Sequence, residues 1–145
     1  MHMKKITLIR PTESFNKNCS YDIFIGKKKL TELKNGEEKI VEIPKEYENE
    51  KIKAKIQWCG SEKKELKSIS ENGKIIIKGN EFLNKKFMFA IALLPLTGVL
   101  MFAYGRENLI IKNIGISLFI LLILFSIGIM TIWNDKWIKI EKKEE

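Results

Sequence analysis

Histidine is nearly missing from this chain of 145 residues, and the one copy, His2, lies beside the N-terminus. A Ser-His-Asp or Cys-His arrangement therefore has no positioned base. Cysteine is scarce too. Cys19 and Cys59, even with His2, fall short of the four ligands of a structural zinc site. Neither a phosphate-cradling nor a dinucleotide-binding glycine loop is present. Glu46, Glu48 and Glu50 alternate in one polar loop, where a solvated loop is a simpler reading than a cation site. These absences leave no visible catalytic, cofactor or metal constellation and argue against an enzyme. Charge is also missing, but only locally: residues 87–104 and 113–134 hold none. Such segregation excludes a single soluble globule, a collagen-like chain and a disordered tail.

The uncharged stretches are the strongest positive signal. Phe87 to Tyr104 reads FMFAIALLPLTGVLMFAY, and Ile114 to Trp133 reads IGISLFILLILFSIGIMTIW. Eighteen residues of helix cover about 27 Å, close to a hydrocarbon core of about 30 Å. The expectation is transmembrane helices over 87–104 and 114–133, joined by a short loop, 105–113, into an antiparallel hairpin. Residues 81–86 read as a juxtamembrane linker and 134–145 as a charged tail. Lys85, Lys86 and Phe87 flank the first span, and Trp133, Lys136 and Trp137 the second, as interfacial anchors do. Pro95 is expected to kink the first helix. Gly98 on the first helix, and Gly115, Ser117, Ser126 and Gly128 on the second, are small enough to let helices approach closely. The spans carry no Asp, Glu, Lys, Arg or His, which argues against transport or proton relay by this chain alone.

Lysines on both flanks outnumber the basic residues of the loop. The positive-inside rule then predicts an inner (cytoplasmic) membrane protein with both termini in the cytoplasm. MHMKKITLIR has no apolar run of signal-peptide length, which agrees. Both cysteines are then expected as thiols, whereas a Cys19–Cys59 disulfide would accompany the opposite topology.

Residues 1–80 read as an all-β domain. Strands are predicted at Lys4 to Arg10, Tyr21 to Ile25, Leu30 to Leu33, Ile40 to Ile43, Leu66 to Ile69 and Lys74 to Lys78. Ile52, Ala54, Ile56 and Trp58 form the inner face of another, and Lys51, Lys53, Lys55 and Gln57 its outer face. Asn35-Gly36 and Asn72-Gly73 are turns, the first a strong hairpin signal. Residues 11–18 and 45–50 are expected as loops, and no helix is expected before Phe82. Six or seven strands in this length suggest a β-sandwich or small barrel.

The stretch YDIFIGKKKLTELKNGEEKIVEIP, followed by IKAKIQWCGS, resembles PEGA-like β-sandwich domains. IFIG supplies the strand before a glycine turn, KNGE the second turn, and Ile43-Pro44-Lys45-Glu46 stands where the family motif lies. The layout also looks like that of small bacterial membrane proteins with a hydrophobic C-terminal segment. The resemblance covers about residues 4–79. It implies an Ig-like sandwich that binds or supports, with no catalytic residues.

The lysine face Lys51, Lys53 and Lys55 is a candidate surface for anionic lipid headgroups, against the simpler reading of a solvated strand face. Nucleic acid is disfavoured, because few aromatics interleave the lysines. Three functions remain open. One is a membrane-anchored protein- or lipid-interaction module with an unknown protein partner or self-association. A second is an accessory subunit of a membrane complex. The third is a small-ligand-sensing effector whose hairpin oligomerises to permeabilise the bilayer.

Overall fold

The computed structural model describes residues 3–57 and 59–143. His2 and Trp58, which figured in the sequence reading, lie outside the described residues. The chain divides into two compact units. The first comprises residues 1–80 and 134–145, and the second residues 81–133.

Among the described residues the first unit holds nine strands: β1 (Lys4–Ile9), β2 (Tyr21–Ile25), β3 (Lys28–Leu33), β4 (Glu38–Ile43), β5 (Lys51–Ile56), β6 (Cys59–Gly60), β7 (Lys64–Glu65), β8 (Lys74–Gly79) and β9 (Ile138–Lys143). They form a four-stranded sheet, β4-β1-β8-β9, and a five-stranded sheet, β3-β2-β5-β6 with β7 also paired to β5. Each sheet buries one face, as strict alternation requires. Ile6, Leu8, Ile43, Ile75 and Ile77 are fully buried in the first sheet; Tyr21, Ile23, Leu33, Ile52 and Ala54 are fully buried in the second.

The Asn35-Gly36 signal proves to be a sheet-crossing corner rather than a hairpin. β3 and β4 flank it, yet they belong to different sheets. Gly36 supplies the positive φ of +73° that the corner needs. The Asn35 side chain is spent elsewhere, exchanging two hydrogen bonds with the backbone of Glu13. The tight hairpin lies instead at Gly26-Lys27, between β2 and β3, where Gly26 takes φ +56°. Leu66 to Ile69 is not a strand. Leu66–Ser68 is a 3-10 turn that buries Leu66, and only Lys64–Glu65 ahead of it pairs. Lys45–Tyr47, expected as loop, is also a 3-10 turn. Asn72 turns with φ 60° into β8, which then runs parallel to β1.

The larger revision concerns residues 134–145. The charged tail is no tail: residues 138–143 are β9, paired antiparallel with β8 over the full strand, from Gly79↔Ile138 to Lys74↔Lys143. Four lysines and four acids hide a strand signal. Ile138 and Ile140 alternate with Lys139 and Glu141, and both isoleucines are buried. Asn80 donates its backbone N–H to Trp137 O at 2.8 Å and its side chain to Lys136 O at 2.8 Å, closing the end of the pair.

The second unit is a helical hairpin. α1 (Glu81–Val99) continues into a π-helical turn, Leu100–Tyr104, and α2 spans Leu109–Ile132. Residues 81–86, expected as linker, are the first turns of α1. The loop is shorter than 105–113, because Asn108 caps α2. Its side-chain oxygen accepts from Ile110 N and Ile111 N. α1 runs through Pro95 without ending, and Thr97 Oγ1 donates to Leu94 O nearby.

The buried isoleucines of β9 give a direct test. Ile140→Ala should cost about 2–4 kcal/mol in chemical denaturation of the full chain in micelles. A residue on a free tail would change stability by no more than about 0.5 kcal/mol.

Candidate functional site

Three surfaces and one buried cluster bear on function. The buried cluster pins the loop between β1 and β2. Arg10, 1% exposed, donates to the carbonyls of Cys19, Asn16 and Leu33. Its guanidinium stacks over the Tyr21 ring at 3.6 Å from the centroid. Glu13 lies 3.5 Å from Arg10 Nη2, accepts from Tyr21 Oη at 2.5 Å, and accepts from the Gly79 amide at the end of β8. Burial, then the Glu13 hydrogen bond, pushes the Tyr21 hydroxyl well above the usual phenol range. Sequence reading passed over this cluster. Arg10 looked like the last residue of a strand and Glu13 like loop polarity. A lone arginine between Ile9 and Pro11, at the end of an apolar strand, was the available signal.

The predicted lysine face is not a bare cationic stripe. Lys53 pairs with Asp135 at 2.6 Å and is only 17% exposed at its side chain. Lys51 reaches Glu65 at 3.9 Å, and Lys55 lies over the Phe24 ring at 5.7 Å. Asp22, beside Lys55 on β2, is taken by Lys29 at 2.6 Å, which raises the Lys29 pKa. The strand keeps its lysines, but acids from β7 and from the segment after α2 meet two of them.

The hairpin surface is apolar almost all round. Ile132, Ile110 and Phe102 are 78%, 71% and 69% exposed, and Phe89, Leu96, Leu121 and Leu124 are exposed as well. Both helical stretches, Glu81–Tyr104 and Leu109–Ile132, are long and apolar enough to cross a membrane. Where they meet, the seam uses small side chains. Ala90, Thr97 and Gly115 are buried. A Cβ on Gly115 would come within 2.8 Å of Met101 Cγ and 3.2 Å of Leu100 Cβ. Gly98 and Gly128, singled out with it, have open space instead. Ser126 is half-buried, its hydroxyl donating to Leu122 O; Ser117 and Pro95 are exposed.

Among the predicted anchors, Lys85 and Lys86 are exposed on the first turns of α1, Lys86 above the Phe82 ring. Phe87 is half-buried, and Trp133 ends α2 at 36% exposure. Trp137 does not stay with them. It is 2% exposed, drawn into the β-unit by the start of β9.

No family model matches this chain, and no curated protein or solved structure matches it either.

The third surface escaped the sequence reading. A cleft of about 290 Å³ opens in the β-unit beside β9. Glu62 and Lys64 line one side; Asp135, Lys136, Lys139 and Glu141 line the other. Three segments distant in sequence build it. Asn80 ties residues 136–137 to the end of β8. Ser61 bridges to Ile138, and its Oγ accepts from Ala54 N, holding residues 61–64 against β5. Only β9 pairing brings these charges together, so no linear motif could announce them.

Cys19 and Cys59 are both free thiols, the first exposed and the second buried. Burial, and next to it the nearby Cys19, pushes the Cys59 thiol from 9.0 up to about 11. The folded protein holds that proton more tightly than the unfolded chain. Its contribution to stability is complete below pH 9 and is lost as pH rises to about 11. A stability-against-pH series should show this alkaline loss, reduced in Cys59→Ala. Tyr21→Phe removes a hydrogen bond to a carboxylate and should cost about 1.5–3 kcal/mol in the same denaturation measurement.

Proposed function

We propose that this chain is a non-enzymatic, membrane-anchored β-domain. Its β-unit acts as a protein- or lipid-interaction module or as an accessory subunit of a membrane complex. The observation that carries the reading is topological. The two apolar helices are inserted between β8 and β9, which are hydrogen-bonded neighbours. A chain that leaves a sheet at Gly79 and returns to pair at Ile138 has to come back to the side it left. An even number of crossings satisfies this, and two helices provide it. The β-unit, residues 1–80 with 134–145, then lies on one face of the bilayer.

The exposed apolar side chains of the hairpin support the membrane assignment, because so large an apolar surface is costly in water. Basic residues on the β-unit flanks favour the cytoplasmic face, and the PEGA-like resemblance favours a bacterial inner membrane. Two sheets with one buried face each support an Ig-like, PEGA-like sandwich for the β-unit. The free edges of β3 and β4, each six residues long, offer a partner strand a place to pair.

Reporter fusions at each end of the chain test the topology. Both are expected to be active only in the cytoplasm, and the protein is expected to stay in the membrane pellet after alkaline extraction. Release into the soluble fraction would sink the anchor. Ends on opposite sides would contradict insertion between β8 and β9, and both ends outside would reverse the orientation.

A further inference from the structure

The cleft beside β9 carries a charge imbalance that its ion pairs do not cancel. Two of its acids are already neutralised: Asp135 by Lys53 at 2.6 Å, and Glu141 by Lys78 at 2.7 Å. Its cations are not. Lys64, Lys136 and Lys139 form no salt bridge among the described residues, and Glu62 is the one lining acid in the same position. Three lysines and one glutamate without an ion pair among the described residues therefore share the lining of one cleft. Concavity matters here, because low-dielectric walls focus a field that an open surface would lose to solvent.

The wall is built rather than draped. Lys139 stands on β9 between the buried Ile138 and Ile140. The Lys136 carbonyl is held by the buried Asn80 side chain. Lys64 is fixed on β7 by pairing with Ile52 of β5. In the chain, Asn80 directly precedes α1 and Lys136 follows the end of α2 by four residues.

We infer that this cleft binds a phosphate group, presented by an anionic lipid headgroup or by a soluble phosphate compound. Compact ammonium groups on flexible stems suit a tetrahedral anion approached from several sides. The lipid arm rests on the membrane-anchored reading above; the soluble arm does not.

The test uses the full-length chain in neutral detergent micelles. Phosphatidylglycerol and phosphatidylcholine are titrated separately, with bound lipid read by native mass spectrometry. Inorganic phosphate is titrated in parallel and followed by its phosphorus resonance. The variant K64Q/K136Q/K139Q is compared with K17Q/K27Q/K45Q, which removes the same charge from exposed positions outside both the cleft and the β5 lysine face. The cleft variant should lose about tenfold or more in affinity for the anion, and the control no more than about twofold. Binding to the unmodified chain should also weaken as salt rises from about 0.05 to 0.5 M.

Preference for phosphatidylglycerol over phosphatidylcholine, lost only in the cleft variant, assigns the headgroup. Phosphate binding lost in the same variant, without lipid preference, assigns the soluble source. Equal losses in both variants would mean diffuse attraction to a basic protein and would overturn the cleft. So would unchanged binding in the cleft variant, or no binding of either probe to the unmodified chain. Alkaline extraction of the same proteins separates the two readings. A protein that leaves the membrane defeats the anchor, while one that stays but shows no cleft-dependent anion binding defeats only this inference.

Discussion

The pairing of β8 with β9 is the constraint on which the rest of this molecule depends. It converts two apolar helices from an appendage into an insertion. Closing a flexible chain over residues 80–137 would cost about 4 kcal/mol in entropy. The hairpin removes much of that cost by returning the chain near its starting point. Its two helical stretches, Glu81–Tyr104 and Leu109–Ile132, have the same length, 24 residues. Within the first unit, Asn80 hydrogen-bonds to Lys136 and Trp137, where the chain returns to the sheet.

The same pairing reaches into the buried polar cluster. Glu13 accepts from the Gly79 amide, so the loop after β1 is tied to the end of β8 where the chain departs for the helices. Arg10 and Tyr21 hold that carboxylate in turn. A half-satisfied version of this network would be worse than an apolar core, since each unpaired member pays its full desolvation cost. The Cys19, Asn16 and Leu33 carbonyls accept from the two terminal nitrogens of the guanidinium, while the buried Nε has no hydrogen-bond partner among the described residues, so the loop is folded around the arginine at the cost of one unmet donor.

Strand alternation was readable wherever one face was apolar without interruption: Ile6 and Leu8, Tyr21, Ile23 and Ile25, Ile52, Ala54 and Ile56. Reading faltered where the pattern was short or diluted. Ile138 and Ile140 sit among lysines and glutamates, so their two-residue alternation looked like a solvated tail. Leu66 and Ile69 mimic a strand end, but a 3-10 turn buries both with fewer residues. Asn35-Gly36 has hairpin chemistry, and only the sheet partners of β3 and β4 show that it turns a corner. Lys51, Lys53 and Lys55 alternate with the buried Ile52, Ala54 and Ile56 along β5. The pairing of Lys53 with Asp135 and of Lys51 with Glu65 was invisible, because those acids come from segments 82 and 14 residues away in the chain.

What the sequence determined by itself was composition along the chain: two uncharged stretches of spanning length, an alternating β-domain, and a single histidine, His2. These follow from local periodicity and local charge, which are properties of neighbouring residues. Tertiary structure alone decided which strands are neighbours, that the last segment closes the first sheet, which lysines keep a free charge, and that Trp137 belongs to the core. Each of these depends on long-range pairing, as between β8 and β9, where the free energy comes from burying isoleucines against partners far off in sequence, and no local pattern records that.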